Sequence, residues 1–418
     1  LTGDGPAPKT VVIGLDGVGW SLIERLVGQG VMPRLGALID VSTAGPMLST
    51  LPEISPVAWT TFFTGRPPGE HGVYGFTDFE PEAYRIRYNS SLDVRVPFLW
   101  DWMGLRGERS VVLNVPMTYP ARPLDGVMVS GFIALDYDRA AYPAWVADYL
   151  RRTGYRLEAD FERVHHDRPA FQADLDAALA GRLALIERFW PDPWDLFALV
   201  VTDTDRLQHF FLDEFLRRGP VEGYFLDFMA RVDALVGRVM DLIDRSGQPI
   251  RLFMLSDHGF APVEREFHLN RWLADRGFQT GPGPEALALA LDPTRIYLNQ
   301  PTRFPGGRVG RNEAWTLAAE ITAGLLMEPA VAGVSRGDEI YSGPRAHLGP
   351  DLVVHPRPGF EFKAKFTPGP LYTDSPLQGA HTREDAFFLI HGAGNRTEPA
   401  EIQSIEDFGA CLFSSRGI

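Results

Sequence analysis

The stretch Thr10-Val11-Val12-Ile13-Gly14-Leu15-Asp16-Gly17 (TVVIGLDG, residues 10–17) is an unbroken apolar run that stops at an acidic residue and a glycine. A run without polar alternation is the pattern of a strand buried on both faces, as in parallel sheets. Asp16 then falls at the carboxyl end of that strand, where an open α/β sheet keeps its active site. The arrangement recurs twice. LFALVV (196–201) leads into DTDRLQHF, which carries Asp205 and His209, and LFML (252–255) leads into Ser256-Asp257-His258-Gly259. Helical patterns alternate with these runs, over Trp20–Val27, Pro56–Phe63, Ala170–Trp190, residues 203–216 and Phe225–Ile243. The alternation predicts an α/β fold, a doubly wound and mostly parallel sheet flanked by helices.

Composition narrows the function. The chain has 418 residues, 45% of them hydrophobic and 22% charged, the balance of an ordinary globular protein with a large core. Its formal net charge of -14 argues against binding a nucleic-acid polymer, which needs a basic surface. A small phosphorylated substrate remains compatible, because bound cations can invert the local field. The single cysteine, Cys411, allows neither an intrachain disulfide nor a thiolate metal site. No apolar run is long enough for a membrane span, and LTGDGPAPKT at the start lacks the apolar stretch of a signal peptide. A cytoplasmic location is favoured. A processed or exported form stays open, because the chain starts at Leu1.

The expected organisation is a catalytic core formed by residues 1–78 and 194–418, interrupted by an inserted cap over 79–193 that selects the substrate. Within the insert, a helix is expected near Phe98–Met103 and strands at Val111–Asn114 and Val127–Phe132. The Gly- and Pro-rich segment Gly277–Gly310 reads as a loop, Asn312–Leu326 as a helix, and Asp351–His355 as a short strand.

Several side chains could carry chemistry. Asp205 and His209 are four residues apart, so a helix puts them on one face where both reach one metal; a solvated polar pair has the same spacing. Asp257-His258 sits in a turn that can aim both side chains at one ion. His381, in GAHTRED, and Asp16 carry weight only jointly with the others. Ser55, in LPEISPVAWTTFFTG, precedes Pro56 and is expected to be both a helix N-cap and a nucleophile. A serine hydroxyl needs a base or a metal to become one. Ser49, Thr60 and Thr61 are competing hydroxyls. His71 reads as structural, and Arg85, Arg87 and Arg95 as surface residues that could also meet a phosphate.

SPVAWTTFFTGRPPGEHGVYGF, VVLNVPMTYPARPLDGVMVSG and DTDRLQHFF resemble the alkaline phosphatase superfamily, in its type I phosphodiesterase/nucleotide pyrophosphatase branch. The likeness is greatest to bacterial and archaeal members described as predicted phosphohydrolases or phosphomutases. The resemblance implies two divalent metal ions, zinc first and manganese as the alternative. It places Asp16, Ser55, Asp257 and His258 around one ion, and Asp205, His209 and His381 around the other. It implies a phosphodiesterase working through a phosphoseryl intermediate on Ser55, with a nucleotide-like or other small phosphodiester substrate. A phosphomonoesterase or phosphomutase with the same metals is the alternative, and an inactive metal-binding scaffold is the rival of another class. The chain departs from the branch at Phe76, where nucleotide pyrophosphatases carry an asparagine that holds a phosphate oxygen. Thr77 or Asn114 could take over that contact.

Overall fold

The computed structural model describes residues 8–366, 368–392 and 401–418. The chain forms two compact units, one from Leu1–Gly65, Pro97–Phe260 and His381–Ile418, the other from Arg66–Val96 and Ala261–Ala380.

The first unit is built on an eight-stranded sheet. Its strands are β1 (Lys9–Leu15), β2 (Thr43–Met47), β3 (Ser110–Val115), β4 (Gly126–Ser130), β5 (Ala141–Tyr142), β6 (Leu196–Val201), β7 (Ile250–Leu255) and β8 (Ala386–Gly392). They lie in the order β2-β8-β7-β1-β6-β3-β4-β5. The five central strands, β7 to β4, run parallel, and the edge pairings are antiparallel. β1 sits between β6 and β7, with Val12 opposite Ala198 on one side and Phe253 on the other. Every residue of β3 and β6 is buried, as the unbroken apolar runs require for strands covered on both faces.

Helices α1 (Ser55–Thr64), α2 (Arg168–Phe189), α3 (Asp203–Leu216), α4 (Glu222–Ser246) and α5 (Ile405–Ser415) belong to the same unit. α1 is buried along its whole length, and its Phe62 ring stacks on Phe408 of α5 with centroids 5.4 Å apart. α2 is tied to α3 by an ion pair between Arg182 and Asp203, Nε to Oδ2 3.1 Å, with both side chains out of contact with water.

The compact units divide the chain differently from the expected core and insert. β3, β4 and β5 and the long helix α2, placed by sequence in an insert over 79–193, are part of the sheet-bearing unit. The strand signals in that region were legible, but pairing of β3 with β6 joins residues far apart in sequence, and local pattern carries no record of it. The second unit draws instead on 66–96 and 261–380. Its core gathers Phe267, Trp272, Ile296, Ile321, Val331 and Val354. The segment Gly277–Gly310, expected as loop, contains an antiparallel hairpin, Ala288–Leu291 with Arg295–Leu298, whose eight residues are all buried.

His71, in the second unit, is fully buried and its Nδ1 accepts a hydrogen bond from the Val73 amide at 3.1 Å. Burial lowers its imidazole from the ordinary 6.5 to about 3. Between those values the unfolded chain takes up a proton that the folded chain does not. Stability contributed by the neutral ring is therefore full above 6.5 and falls as pH drops toward 3, by up to about 1.4 kcal/mol per pH unit. Urea midpoints measured from neutral to acid pH should decline less steeply in a His71→Gln variant than in the wild type.

Candidate functional site

The adjacency of β7, β1 and β6 brings three sequence-distant segments to one edge of the sheet. Asp257-His258 follows β7, Asp16 follows β1, and Asp205 lies in the first turn of α3 after β6. Ser55 opens α1, and His381 belongs to the same unit. All seven residues singled out from sequence as metal ligands or nucleophile meet in one cluster.

His258 Nε2 lies 3.4 Å from Ser55 Oγ, 3.4 Å from Asp257 Oδ2 and 3.7 Å from Asp16 Oδ1. Ser55 Oγ is 3.5 Å from Asp16 Oδ1. Beside this set, Asp205 Oδ1 is 3.4 Å from His209 Nε2 and 3.2 Å from His381 Nε2, and the two imidazole nitrogens are 3.1 Å apart. The groups Asp16, Asp257, His258 and Asp205, His258, His381 each place their ligand atoms within 4.8 Å of one another, as a metal ion requires. The two sets adjoin, with His258 Nε2 3.8 Å from Asp205 Oδ1.

The orientation of each ligand is set by a partner behind it. His258 Nδ1 is 3.0 Å from the Gly259 carbonyl and His381 Nδ1 is 3.0 Å from the Glu53 carbonyl. A carbonyl only accepts, so in each ring Nδ1 carries the proton and the Nε2 lone pair of the neutral ring faces the cluster. The carboxylates follow the same logic. Asp16 Oδ2 accepts from Trp59 Nε1 at 3.0 Å, Asp257 Oδ1 from the Gly17 amide at 3.1 Å, and Asp205 Oδ2 from Arg206 Nη1 at 3.0 Å. One oxygen of each is thus held and the other is turned inward. Asp205 Oδ1 and Asp257 Oδ2 are buried and accept no hydrogen bond among the described residues.

The electrostatics are severe. Burial, then the neighbouring Asp257 and Asp205, push the Asp16 carboxyl well above its ordinary value. Burial also disfavours the Asp205 carboxylate, but His209, His381 and Arg206 outweigh it and hold that group far below the usual range. Burial lowers His258. For His381, burial is outweighed by the nearby Asp205 and Asp257 carboxylates, which raise it. A pocket of three carboxylates and three imidazoles is matched to hard or borderline divalent cations.

The hydroxyls considered from sequence have different partners. Ser49 Oγ donates to the Asp257 carbonyl at 2.5 Å, and Thr60 Oγ1 donates to the Pro56 carbonyl one turn back, also at 2.5 Å. Ser55 Oγ lies against the Asp16 carboxylate and the His258 imidazole. It is not the N-cap that sequence suggested. The cap is Ile54, in extended conformation, and Ser55 is the first helical residue, so its hydroxyl is turned to the cluster rather than to the helix. Asn114 is fully buried in β3, where its amide donates to the Val200 carbonyl at 2.8 Å and to Thr202 Oγ1 at 3.0 Å. Thr77 lies in the second unit, where its carbonyl accepts from Arg295 at 2.9 Å.

Sequence reasoning passed over the supporting residues. Trp59 reads as an apolar helix residue, Arg206 as a surface charge, and Gly17 as a turn. Gly17 has φ 71°, and a Cβ there would lie 2.4 Å from the Phe260 ring. The Phe260 ring in turn meets His209 edge-on, centroids 4.8 Å apart. Gly14 was the available signal for Trp59: a glycine inside a strand marks close approach, and a Cβ on it would lie 2.3 Å from Trp59 Cη2.

Residues 10–384 match the family described as type I phosphodiesterase / nucleotide pyrophosphatase, and the chain belongs to that family. It is a phosphohydrolase. No curated protein matches the chain by sequence. Among solved structures, it is similar to phosphonoacetate hydrolase from Sinorhizobium meliloti 1021 in complex with phosphonoformate, with a TM-score of 0.68, 16% identity, and 98% of this chain and 96% of that one covered. Murine ectonucleotide pyrophosphatase / phosphodiesterase 5 in complex with AMP gives a TM-score of 0.61 at 15% identity, with coverage of 98% and 95%. The alkaline phosphatase PafA gives 0.68 at 15% identity, with coverage of 100% and 97%. At these identities the likeness is one of fold. Among the described residues no helix is long and apolar enough to cross a membrane.

Substituting Gly14→Ala should drive the Trp59 ring off the strand and cost about 1–3 kcal/mol, the range for overpacking a dense core. Thermal unfolding checks the loss. Trp59→Phe, which leaves the buried Asp16 oxygen without its donor, should also destabilise, by about 1–3 kcal/mol.

Proposed function

We propose that the chain is a two-metal-dependent phosphodiesterase that acts through a phosphoseryl intermediate on Ser55, on a small, nucleotide-like or other phosphodiester substrate. The single observation that carries this reading is the convergence of Ser55 Oγ with the Asp16, Asp257 and His258 ligand atoms, beside a second set made of Asp205, His209 and His381.

The residues fit metal ions on their own chemistry. Two inward carboxylate oxygens, Asp205 Oδ1 and Asp257 Oδ2, are buried without a hydrogen bond among the described residues. Leaving a buried charge unsatisfied is costly, and a cation between the ligands removes that cost. In this reading Asp16, Ser55, Asp257 and His258 hold one ion, and Asp205, His209 and His381 the other. The donor set suits Zn²⁺ first, with Mn²⁺ as the alternative. Divalent ions bound there would lower the pKa of the serine hydroxyl and offset charge on the phosphoryl oxygens.

The chain's own part is positioning. α1 carries Ser55 at its first turn, and packing of Phe62 on Phe408 of α5 and of Trp59 on Gly14 of β1 holds that helix in place. Ser55 Oγ attacks phosphorus, one ester oxygen departs as an alcohol that takes up the proton lost from serine, and the phosphoryl group with its second ester stays on serine as a diester. Water then cleaves the serine–phosphorus bond, restoring the hydroxyl and releasing the phosphate monoester. The substrate relatives named above, solved with AMP and with phosphonoformate, support a small phosphorus-centred ligand.

Hydrolysis of bis-p-nitrophenyl phosphate should exceed that of p-nitrophenyl phosphate, require Zn²⁺ or Mn²⁺, and stop on chelation. Ser55→Ala should lower diester turnover by about 10³-fold or more, the scale for removing an activated nucleophile. Preference for the monoester would shift the reading to a phosphatase or mutase. A Ser55→Ala protein with full turnover would remove serine from the mechanism.

A further inference from the structure

Each of the three clustered carboxylates is clamped through one oxygen, but the clamps differ. Asp16 is held by the indole N–H of Trp59 and Asp257 by the backbone amide of Gly17, both neutral donors. Asp205 is held by a cation. Arg206 Nη1 donates to Asp205 Oδ2 at 3.0 Å, leaving Oδ1 toward His209 and His381. Consecutive side chains on a helix normally diverge. Here the long arginine side chain folds back along α3 to reach its own neighbour.

That folded-back conformation is itself supported. The guanidinium lies over the Phe132 ring, 4.5 Å from its centroid, and Nε is 3.9 Å from Glu158 Oε2. The Arg206 side chain is 15% exposed and Asp205 only 7%. Phe132 and Glu158 belong to the same unit as Asp205. A planar cation stacked on a ring and flanked by a second carboxylate keeps one orientation far better than a solvated arginine would.

We infer that Arg206 is a positioning residue for the second metal-binding set: it occupies Asp205 Oδ2, makes Asp205 a one-oxygen ligand, and thereby sets the affinity of Asp205, His209 and His381 for a divalent ion. The inference rests on the metal reading above. Two effects of Arg206 oppose each other. Its positive charge repels an incoming cation, whereas its hydrogen bond pre-orients the ligand. The carboxylate is buried and its partner is held from two sides, so orientation outweighs repulsion, and loss of the arginine weakens binding. Partners behind a metal ligand typically contribute about 10–100-fold in metal affinity.

The experiment is isothermal titration of Zn²⁺ alone into metal-stripped full-length protein. Wild type should show two binding events, and His209→Ala should remove one of them, which identifies the second set. Arg206→Met keeps the apolar stem over Phe132 but has no donor. It should weaken that event by about 100-fold and leave the other within about twofold. Arg206→Lys keeps the charge but not the planar fork, and should weaken it by about tenfold. A general structural lesion would weaken both events together, so selective loss is the signature of positioning. Equal weakening of both events, unchanged affinity, or tighter binding in Arg206→Met overturns the inference and leaves the metal reading standing. Should Arg206→Met fail to fold, Arg206→Lys decides: wild-type affinity at the second set overturns the inference. A wild type that takes up no Zn²⁺, or whose binding His209→Ala leaves unchanged, overturns both.

Discussion

Three carboxylates buried against one another are the constraint on which the rest of this structure depends. Asp16, Asp205 and Asp257 are nearly or wholly removed from water, and like charges in a poorly polarisable interior repel strongly. Folding tolerates this only if each charge is compensated. The compensation is divided among parts of the molecule that have no other reason to meet: an indole from α1, a glycine amide after β1, an arginine on α3, and three imidazoles. Much of the local sequence makes sense as the supply of those partners.

The sheet makes the meeting possible. Parallel strands place their carboxyl ends side by side, so three neighbours, β7, β1 and β6, deliver three acidic loops to one place. The loops are then pinned to one another by backbone acceptors. Thr204 Oγ1 donates to the Asp16 carbonyl at 2.7 Å, Gln208 Nε2 to the Gly17 carbonyl at 2.8 Å, and Ser49 Oγ to the Asp257 carbonyl at 2.5 Å. Ligands on loops would otherwise drift. Tied this way, they inherit the rigidity of the sheet, and a hydroxyl at the first turn of a fully buried helix shares that precision.

The phosphohydrolase family membership fits a chemistry that asks for charge placement more than for many catalytic groups. Identities of 15–16% to solved structures that cover nearly the whole chain show how little of the sequence such a fold needs to keep. The second unit, with its own core and the hairpin of Ala288–Leu291 with Arg295–Leu298, contributes none of the seven cluster residues.

The apolar runs at 10–15, 196–201 and 252–255, with acidic residues directly after them, determined the sheet class and the candidate ligands, because burial on both faces and position at a strand end are local patterns. The i,i+4 spacing of Asp205 and His209 did the same for α3. Tertiary structure alone decided the rest. The role of Trp59 and Arg206 lies in which oxygen each one holds, and an indole on an apolar helix or an arginine after an aspartate looks the same with or without that bond. The hydrogen bonds of Ser49 and Thr60 depend on which carbonyls they happen to reach. The placement of β3, β4 and β5 in the main sheet depends on the pairing of β3 with β6, Ser110 opposite Leu196, which local periodicity cannot record. Sequence specifies what each segment is; only packing specifies which segments share a place.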